Sequence, residues 1–316
     1  MKIKMLLLAL LSVTFVYGQQ ASILPEHPRP DFERSQWINL NGDWDFKFDP
    51  QDVGIKEGWE KNQQKYSQKI HVPFPWGSQL SGVKDEADIA WYQRTIEVPA
   101  NWQSKRTFLV IGASDWKTDV FLNGQKIGTH EGGYTPFSFE LTKFLKAGQK
   151  QILNIRVDDK RRMFTLYGKQ GYGNARGIWQ TIYLESRGDQ YVDYAQVSPD
   201  IDQSMAKFQV ELAAPVKQKT SVKVFLSAGF SGSQMIAEGS KTALIEIKIP
   251  NTHLWSLEDP FLYTYQIQVG EGAQSDEVKG YFGMRKISVM NLPGSTIPYI
   301  ALNNKPIYLQ LALDQS

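Results

Sequence analysis

The feature that most limits the fold is an alternation of apolar and polar residues with a period of two. Leu153, Ile155 and Val157 alternate with Asn154, Arg156 and Asp158. Phe208, Val210 and Leu212 alternate with Gln209 and Glu211, and Val222, Val224 and Leu226 share one face. Ile245, Ile247 and Ile249 repeat the pattern, as do Tyr263, Tyr265, Ile267 and Val269. Such alternation marks strands with one buried face. Turn residues separate the runs: Asn41-Gly42, Asn123-Gly124, Ala147-Gly148, Gly232 and Gly270 to Gly272. Helical spacing is confined to short stretches around Ile55 to Gln63 and Leu141 to Lys146. Glycine-rich nucleotide loops and a βαβ rhythm are absent, so a nucleotide-binding α/β domain is excluded. The expectation is an all-β chain of packed sandwiches.

The amino terminus reads as an address. Met1-Lys2-Ile3-Lys4 is a positive segment, Met5 to Val16 is an apolar run, and Val16-Tyr17-Gly18 offers a peptidase site. This is the pattern of a secretory signal peptide, residues 1–18, and implies a secreted or periplasmic product. No later run approaches the length of a membrane span, so no membrane insertion is expected. Lys2 and Lys4 account for the whole formal net charge of +2. A balanced chain gives no electrostatic reason to bind nucleic acid. Lys160-Arg161-Arg162 lies beside Asp158-Asp159 and reads as a locally paired surface.

Cysteine is absent, which removes disulfides and thiolate chemistry. His27, His71, His130 and His253 lack metal-ligand spacing, so no metal and no cofactor are expected. Asp158-Asp159 and Asp43/Asp45 could touch a cation, but solvated turns explain them better. No serine nucleophile elbow occurs. A polar stretch near Ser186 to Gln190 suggests a boundary, followed to about Val289 by roughly 100 residues of short strands, an immunoglobulin-like size. The pattern from Ile300 to Leu313 ends in a nearly all-apolar run. It fits a strand buried on both faces, as in a parallel sheet, and implies the start of a third domain.

Several segments, in order, resemble glycoside hydrolase family two, the β-galactosidase, β-glucuronidase and β-mannosidase group. They are Leu40 to Phe46, Val72 to Trp76, Trp91 to Thr95, Asp119 to Gly128, Gly132 to Phe137 and Arg176 to Gln180. Leu254-Trp255-Ser256, Pro260 to Tyr263, Phe282 to Lys286 and Leu302 to Ile307 complete the series. The resemblance implies a jelly-roll sugar-binding sandwich at 19–187 and an immunoglobulin-like sandwich at 188–289. It also implies a linker and the first strand of a (β/α)₈ barrel at 290–316. A whole barrel needs roughly 250 residues, so both family carboxylates fall outside and no catalytic residue is assigned. The chain thus reads as the truncated, non-catalytic front of a retaining β-glycosidase, inactive alone. The absent barrel is expected to pack on both sandwiches.

By resemblance, the loop before Arg176 faces the sugar. Lys169, Gln170 and Arg176 are candidate substrate-binding residues, with Asp314 and Gln315 after the barrel strand. Some relatives carry a sugar-binding Asp in that loop, whereas here no acid lies between Asp159 and Glu185. Relatives often have Arg-Gly where this chain has Gln310-Leu311. Trp44, Trp91 and Trp179 read as core or interface residues. Trp59, Trp76, Trp102 and Trp116, nearer turns, are better placed to stack on sugar. The expected partner is a β-linked oligosaccharide or polysaccharide. A stand-alone lectin-like protein is the alternative, and an adhesion or scaffold role rests on fold analogy alone.

Overall fold

A computed structural model describes residues 23–61, 66–160 and 175–313. The first half contains β1 (Trp37–Asn39), β2 (Gly42–Phe48), β3 (Gln68–Val72), β4 (Ile89–Glu97), β5 (Arg106–Ile111) and β6 (Ser114–Asp115). It continues with β7 (Lys117–Leu122), β8 (Gln125–Glu131), β9 (Phe137–Glu140), β10 (Lys150–Asp158), β11 (Gly177–Ile178) and β12 (Ile182–Arg187). Six strands form a sheet in the order β3-β2-β4-β10-β7-β8, and four form a second, β1-β12-β5-β9. Leu109, Ile111, Ile182 and Leu184 of the smaller sheet meet Trp44, Phe46, Tyr92, Val120 and Leu153 of the larger in one buried core. Asn123 and Gly124 both have positive φ, which closes the β7–β8 hairpin as the sequence implies.

The polar residues of β10 do not face solvent. Asn154, Arg156 and Asp158 are buried because residues 49–61 and Tyr66 cover the outer face of the large sheet. Trp59 and Phe121 flank Trp91 there. Asn154 donates to the Glu60 carbonyl at 3.0 Å, and Arg156 pairs with Asp52 at 2.6 Å. The expected short helices at Ile55 to Gln63 and Leu141 to Lys146 contribute only the 3₁₀ turns Trp59–Lys61 and Thr142–Phe144 among the described residues. Trp59, Trp76 and Trp102 are core residues rather than sugar platforms, each 4% exposed or less. Trp76 packs against Phe46, Phe48 and Tyr92. The turns near them in sequence do not carry the rings outward.

The second half contains β13 (Val192–Asp200), β14 (Met205–Leu212), β15 (Thr220–Leu226), β16 (Ser231–Ile236), β17 (Thr242–Lys248), β18 (Tyr263–Val269) and β19 (Asp276–Phe282). Sheets β13-β14-β17 and β16-β15-β18-β19 close over a separate core that includes Phe208, Val224, Ile245 and Ile267. Here the alternation reads directly as inside and outside: β17 runs exposed, buried, exposed along its length. A small sheet follows, of β20 (Ile287–Asn291), β21 (Pro298–Leu302) and β22 (Lys305–Pro306). Asn303 and Asn304, at φ 50° and 62°, turn β21 back onto β22. The expected strand from Ile300 to Leu313 is therefore a hairpin, and residues 307–313 belong to no strand. A strand buried on both faces needs neighbours. The apolar run has none here: Tyr308, Leu311 and Leu313 are 77–85% exposed.

The two sandwiches are tied by the segment that precedes β1. Glu33 and Lys279 exchange backbone hydrogen bonds at 2.8 Å, which adds the segment to the edge of β19. The Tyr265 hydroxyl donates to the Asp31 carbonyl at 3.1 Å. Arg34 then reaches inward. Its Nε donates to Asp276 Oδ1 at 3.0 Å, one Nη donates to Glu185 at 3.0 Å, and the other to the Val192 carbonyl at 2.6 Å. Asp276 also accepts from the Gly188 and Val192 amides at 2.9 and 3.0 Å. The supposed polar linker is thus gripped from both sides. A Cβ at Gly188 would lie 2.6 Å from the Asp276 amide.

Arg34, Glu185 and Asp276 have side chains no more than 3% exposed. Removing one member of a buried ionic group leaves an uncompensated charge, at a cost of about 3–5 kcal/mol. Arg34→Ala is expected to lose that much in urea unfolding. Arg34→Lys should recover less than half, because an ammonium cannot span Asp276, Glu185 and Val192 together.

Candidate functional site

One end of the first sandwich collects the polar groups that the sequence motifs mark. Gly177 and Ile178 pair with Asp115 and Ser114, and Arg176 bridges to Trp76. Gly177 has φ +78° and lies against Tyr92 and Trp76, where any Cβ would collide. Only glycine lets β11 pass over these rings. The Tyr92 hydroxyl accepts from the Ile178 amide at 3.3 Å. This bond fixes Ile178 after Gly177, and the bridge to Trp76 fixes Arg176 before it.

Arg176 sits at the centre with a side chain 7% exposed. It pairs with Asp85 at 2.7 Å, with Asp159 at 2.8 Å, and with Asp88. These acids come from the loop before β4 and from the end of β10. Asp85 and Asp88 are half-exposed, so the cluster turns carboxylate oxygens toward solvent while its one guanidinium is spent inside. Asp115 stands beside it, packed against Gly133. Burial raises the Asp115 carboxyl above the ordinary range, against the pull of Arg176. The Asp159 carboxyl is pushed up to about 6, chiefly by burial and then by Asp115, with Arg176 opposing both. Burial removes the water that would solvate the anion, and a neighbouring like charge adds to that cost.

Aromatic surface adjoins this cluster. The Trp179 indole donates to the Gly133 carbonyl at 2.8 Å and anchors the loop between β8 and β9. Tyr134, next in that loop, meets Trp179 edge-on at 5.6 Å and is 78% exposed. Trp179, read from sequence as a core or interface residue, is half-buried and is the inner wall of this surface. Carboxylates accept from sugar hydroxyls, and aromatic faces take the apolar C–H side of a sugar ring.

Of the candidate residues read from sequence, Arg176 is in this cluster. Lys169, Gln170, Asp314 and Gln315 lie outside the described residues. Asp85, Asp88, Asp115 and Tyr134 were not singled out from sequence, although Asp85-Glu86-Ala87-Asp88 is a visible acidic run. Asp158-Asp159 reads from sequence as a solvated turn rather than a cation contact; in the fold the two side chains are largely covered and diverge. Asp158 pairs with Arg156 at 3.4 Å, and Asp159 with Arg176. Asp43 and Asp45 take His71 and Lys69 at 2.5 and 2.7 Å. Among the described residues no group of three or more metal-ligating side chains converges.

The raised Asp159 carboxyl makes stability depend on pH in a defined direction. The folded state holds this proton up to about pH 6, and the unfolded state releases it near 3.8. Stability from this group is therefore present at pH 4 and falls as pH rises toward 7. Asp159→Asn is expected to flatten that limb, with a gain of about 1–3 kcal/mol over the parent at pH 7.5 and little difference at pH 4. Chemical denaturation across this range measures it. A parent curve that rises between pH 4 and 7 in step with the variant would contradict the assignment.

Comparison with known proteins bears on the same residues. The sugar-binding domain of glycosyl hydrolases family 2 matches residues 38–184, and a second glycosyl hydrolases family 2 domain matches residues 189–285. A β-glucuronidase from Paenibacillus borealis is 24% identical over 279 residues, which cover 79% of this chain and 46% of that protein. A β-glucuronidase from Bacteroides fragilis is 26% identical, with 79% and 38% covered. A β-galactosidase from Oenococcus oeni is 22% identical, with 86% and 29% covered. The chain shares its fold with a Ruminococcus gnavus β-glucuronidase solved with D-glucuronic acid, at a TM-score of 0.69 and 21% identity. That match covers 88% of this chain and 50% of the other. The chain thus spans half or less of the length of these relatives, and always their amino-terminal part. Two adjoining family matches, each on its own sandwich and in the family's order, make this chain a member of glycosyl hydrolase family 2.

Proposed function

We propose that this chain supplies the non-catalytic, sugar-binding front of a secreted retaining β-glycosidase. Residues 1–18 would be the signal peptide, 19–187 a jelly-roll sandwich and 188–289 an immunoglobulin-like sandwich. Residues 290–316 would lead into the first strand of a (β/α)₈ barrel that these 316 residues do not include. The observation that carries this reading is the Arg176 end of the first sandwich, where family motifs, carboxylates and an exposed aromatic loop converge. Arg176 acts here as a positioning residue: it aligns Asp85 and Asp88, whose outer oxygens accept from sugar hydroxyls. Lys169 and Gln170 would approach the same sugar from the preceding loop, and Asp314 and Gln315 from the end of the barrel strand.

Hydrolysis with retention needs two carboxyl groups about 5 Å apart, one as acid/base and one as nucleophile. In this reading both belong to the barrel, which packs on both sandwiches. The exposed run 308–313, with Ile287, Val289 and Ile297 nearby in sequence and 59–65% exposed, is largely apolar surface suited to that packing. A second reading is a secreted lectin-like protein that binds β-linked glycans without turnover, and the exposed Tyr134 beside Trp179 favours it.

Two measurements separate these. Purified residues 19–316 are expected to release no nitrophenol above a protein-free blank from nitrophenyl β-glucuronide, β-galactoside or β-mannoside. Turnover would overturn the non-catalytic assignment. Sequencing of the source DNA beyond the Ser316 codon is expected to find about 250 further codons with a βα rhythm, in this frame or one shifted by a base. Without them the glycosidase reading fails and the lectin-like reading stands.

A further inference from the structure

The outer face of the β16-β15-β18-β19 sheet carries a groove of about 470 Å³ that belongs to neither family motif nor the Arg176 cluster. Its floor is set by register. Phe225 on β15 lies opposite Gln266 on β18, Gln266 lies opposite Lys279 on β19, and Thr264 lies opposite Tyr281. Phe225 and Tyr281 are 42% and 41% exposed, and neither has an aromatic partner among the described residues. The segment before β1 forms the far rim, where Glu33 bridges to Lys279.

The spacing of the two rings follows from sheet geometry. Two strand intervals of about 4.8 Å and one two-residue step of about 7 Å put the Cα atoms of Phe225 and Tyr281 about 12 Å apart. Between and beside them stand the amide of Gln266 and the hydroxyl of Thr264. The charged lining residues, Glu33 and Lys279, are of opposite sign, and Lys279 also pairs with Glu277 at 3.4 Å. Farther along the face Lys223 pairs with Glu271 at 2.9 Å. A polyanion therefore finds no unbalanced positive charge here. Two separated rings, neutral hydrogen-bonding groups and balanced charge complement an uncharged, polyhydroxylated chain whose alternate sugars present C–H faces.

We infer that this face is a second glycan-binding site, which holds a neutral β-linked polysaccharide at a distance from the Arg176 end. This goes beyond the glycosidase reading and does not depend on it.

The test is electrophoresis of the full chain through native gels that contain mixed-linkage β-glucan, unsubstituted xylan or β-1,4-galactan, with polygalacturonate as the anionic comparator. Retardation by at least one neutral polymer and none by polygalacturonate is the expected result. Phe225→Ala and Tyr281→Ala should each weaken it by roughly five- to tenfold, and Tyr281→Trp should preserve it. Both side chains are on the outer face, so thermal unfolding of the variants should match the parent. Leu244→Ala, at an exposed apolar residue on the opposite sheet of the same sandwich, should leave retardation unchanged, which ties the effect to this groove rather than to exposed apolar surface in general. Failure of every neutral polymer to retard the chain, equal retardation by polygalacturonate, or retardation that survives the double alanine variant would overturn the proposal. If sedimentation shows a dimer that Phe225→Ala dissociates, the face is an interface between copies and the proposal falls.

Discussion

The ionic group at Arg34 is the constraint on which the arrangement of the two sandwiches depends. One guanidinium and two carboxylates, each almost fully buried, are paired only when the segment before β1, the end of β12 and the start of β19 are all in place, and Arg187 at 2.8 Å from Glu185 supplies the second positive charge. A guanidinium can serve Asp276, Glu185 and a carbonyl at once because its donors fan out in a plane. Buried ion pairs add little net stability over a well-packed apolar group, but they are intolerant of misplacement. Here that intolerance sets an orientation. The lining of the proposed glycan groove includes Glu33, so the strap that fixes the two sandwiches also completes a surface.

Much of this architecture is legible in the alternation of side chains, and the exceptions have physical causes. In the second sandwich, β14, β17 and β18 follow their sequence pattern because one face meets the core and the other meets water. In the first, β10 breaks the rule because another layer of chain covers it, and Asn154 and Arg156 become buried hydrogen-bonding groups. Alternation reports that two faces differ, not that one is wet. The tryptophans fail for a related reason. Proximity to a turn says nothing of ring direction, and Trp59, Trp76 and Trp102 turn inward whereas Trp179 backs an exposed loop.

Among the charged residues of the candidate site, only Arg176 was legible, the one that lies inside a recognisable motif. Its partners come from separate loops, more than 80 residues apart for Asp85 and Asp88. No periodicity connects such positions, since only the closure of the sandwich brings them together. The charge environment of Asp159 is equally non-local: its raised carboxyl depends on Asp115, one strand pairing away from Gly177.

Gly188 lies in the short gap between the two family matches, where a gene might be expected to tolerate rearrangement. Its amide is instead held by Asp276, and its missing side chain is what lets the chain pass. The seam in the sequence is thus one of the most tightly bonded places in the fold. To replace one sandwich of this chain and leave the other would separate the strap and Glu185 from Asp276, and so strand buried charge at the seam.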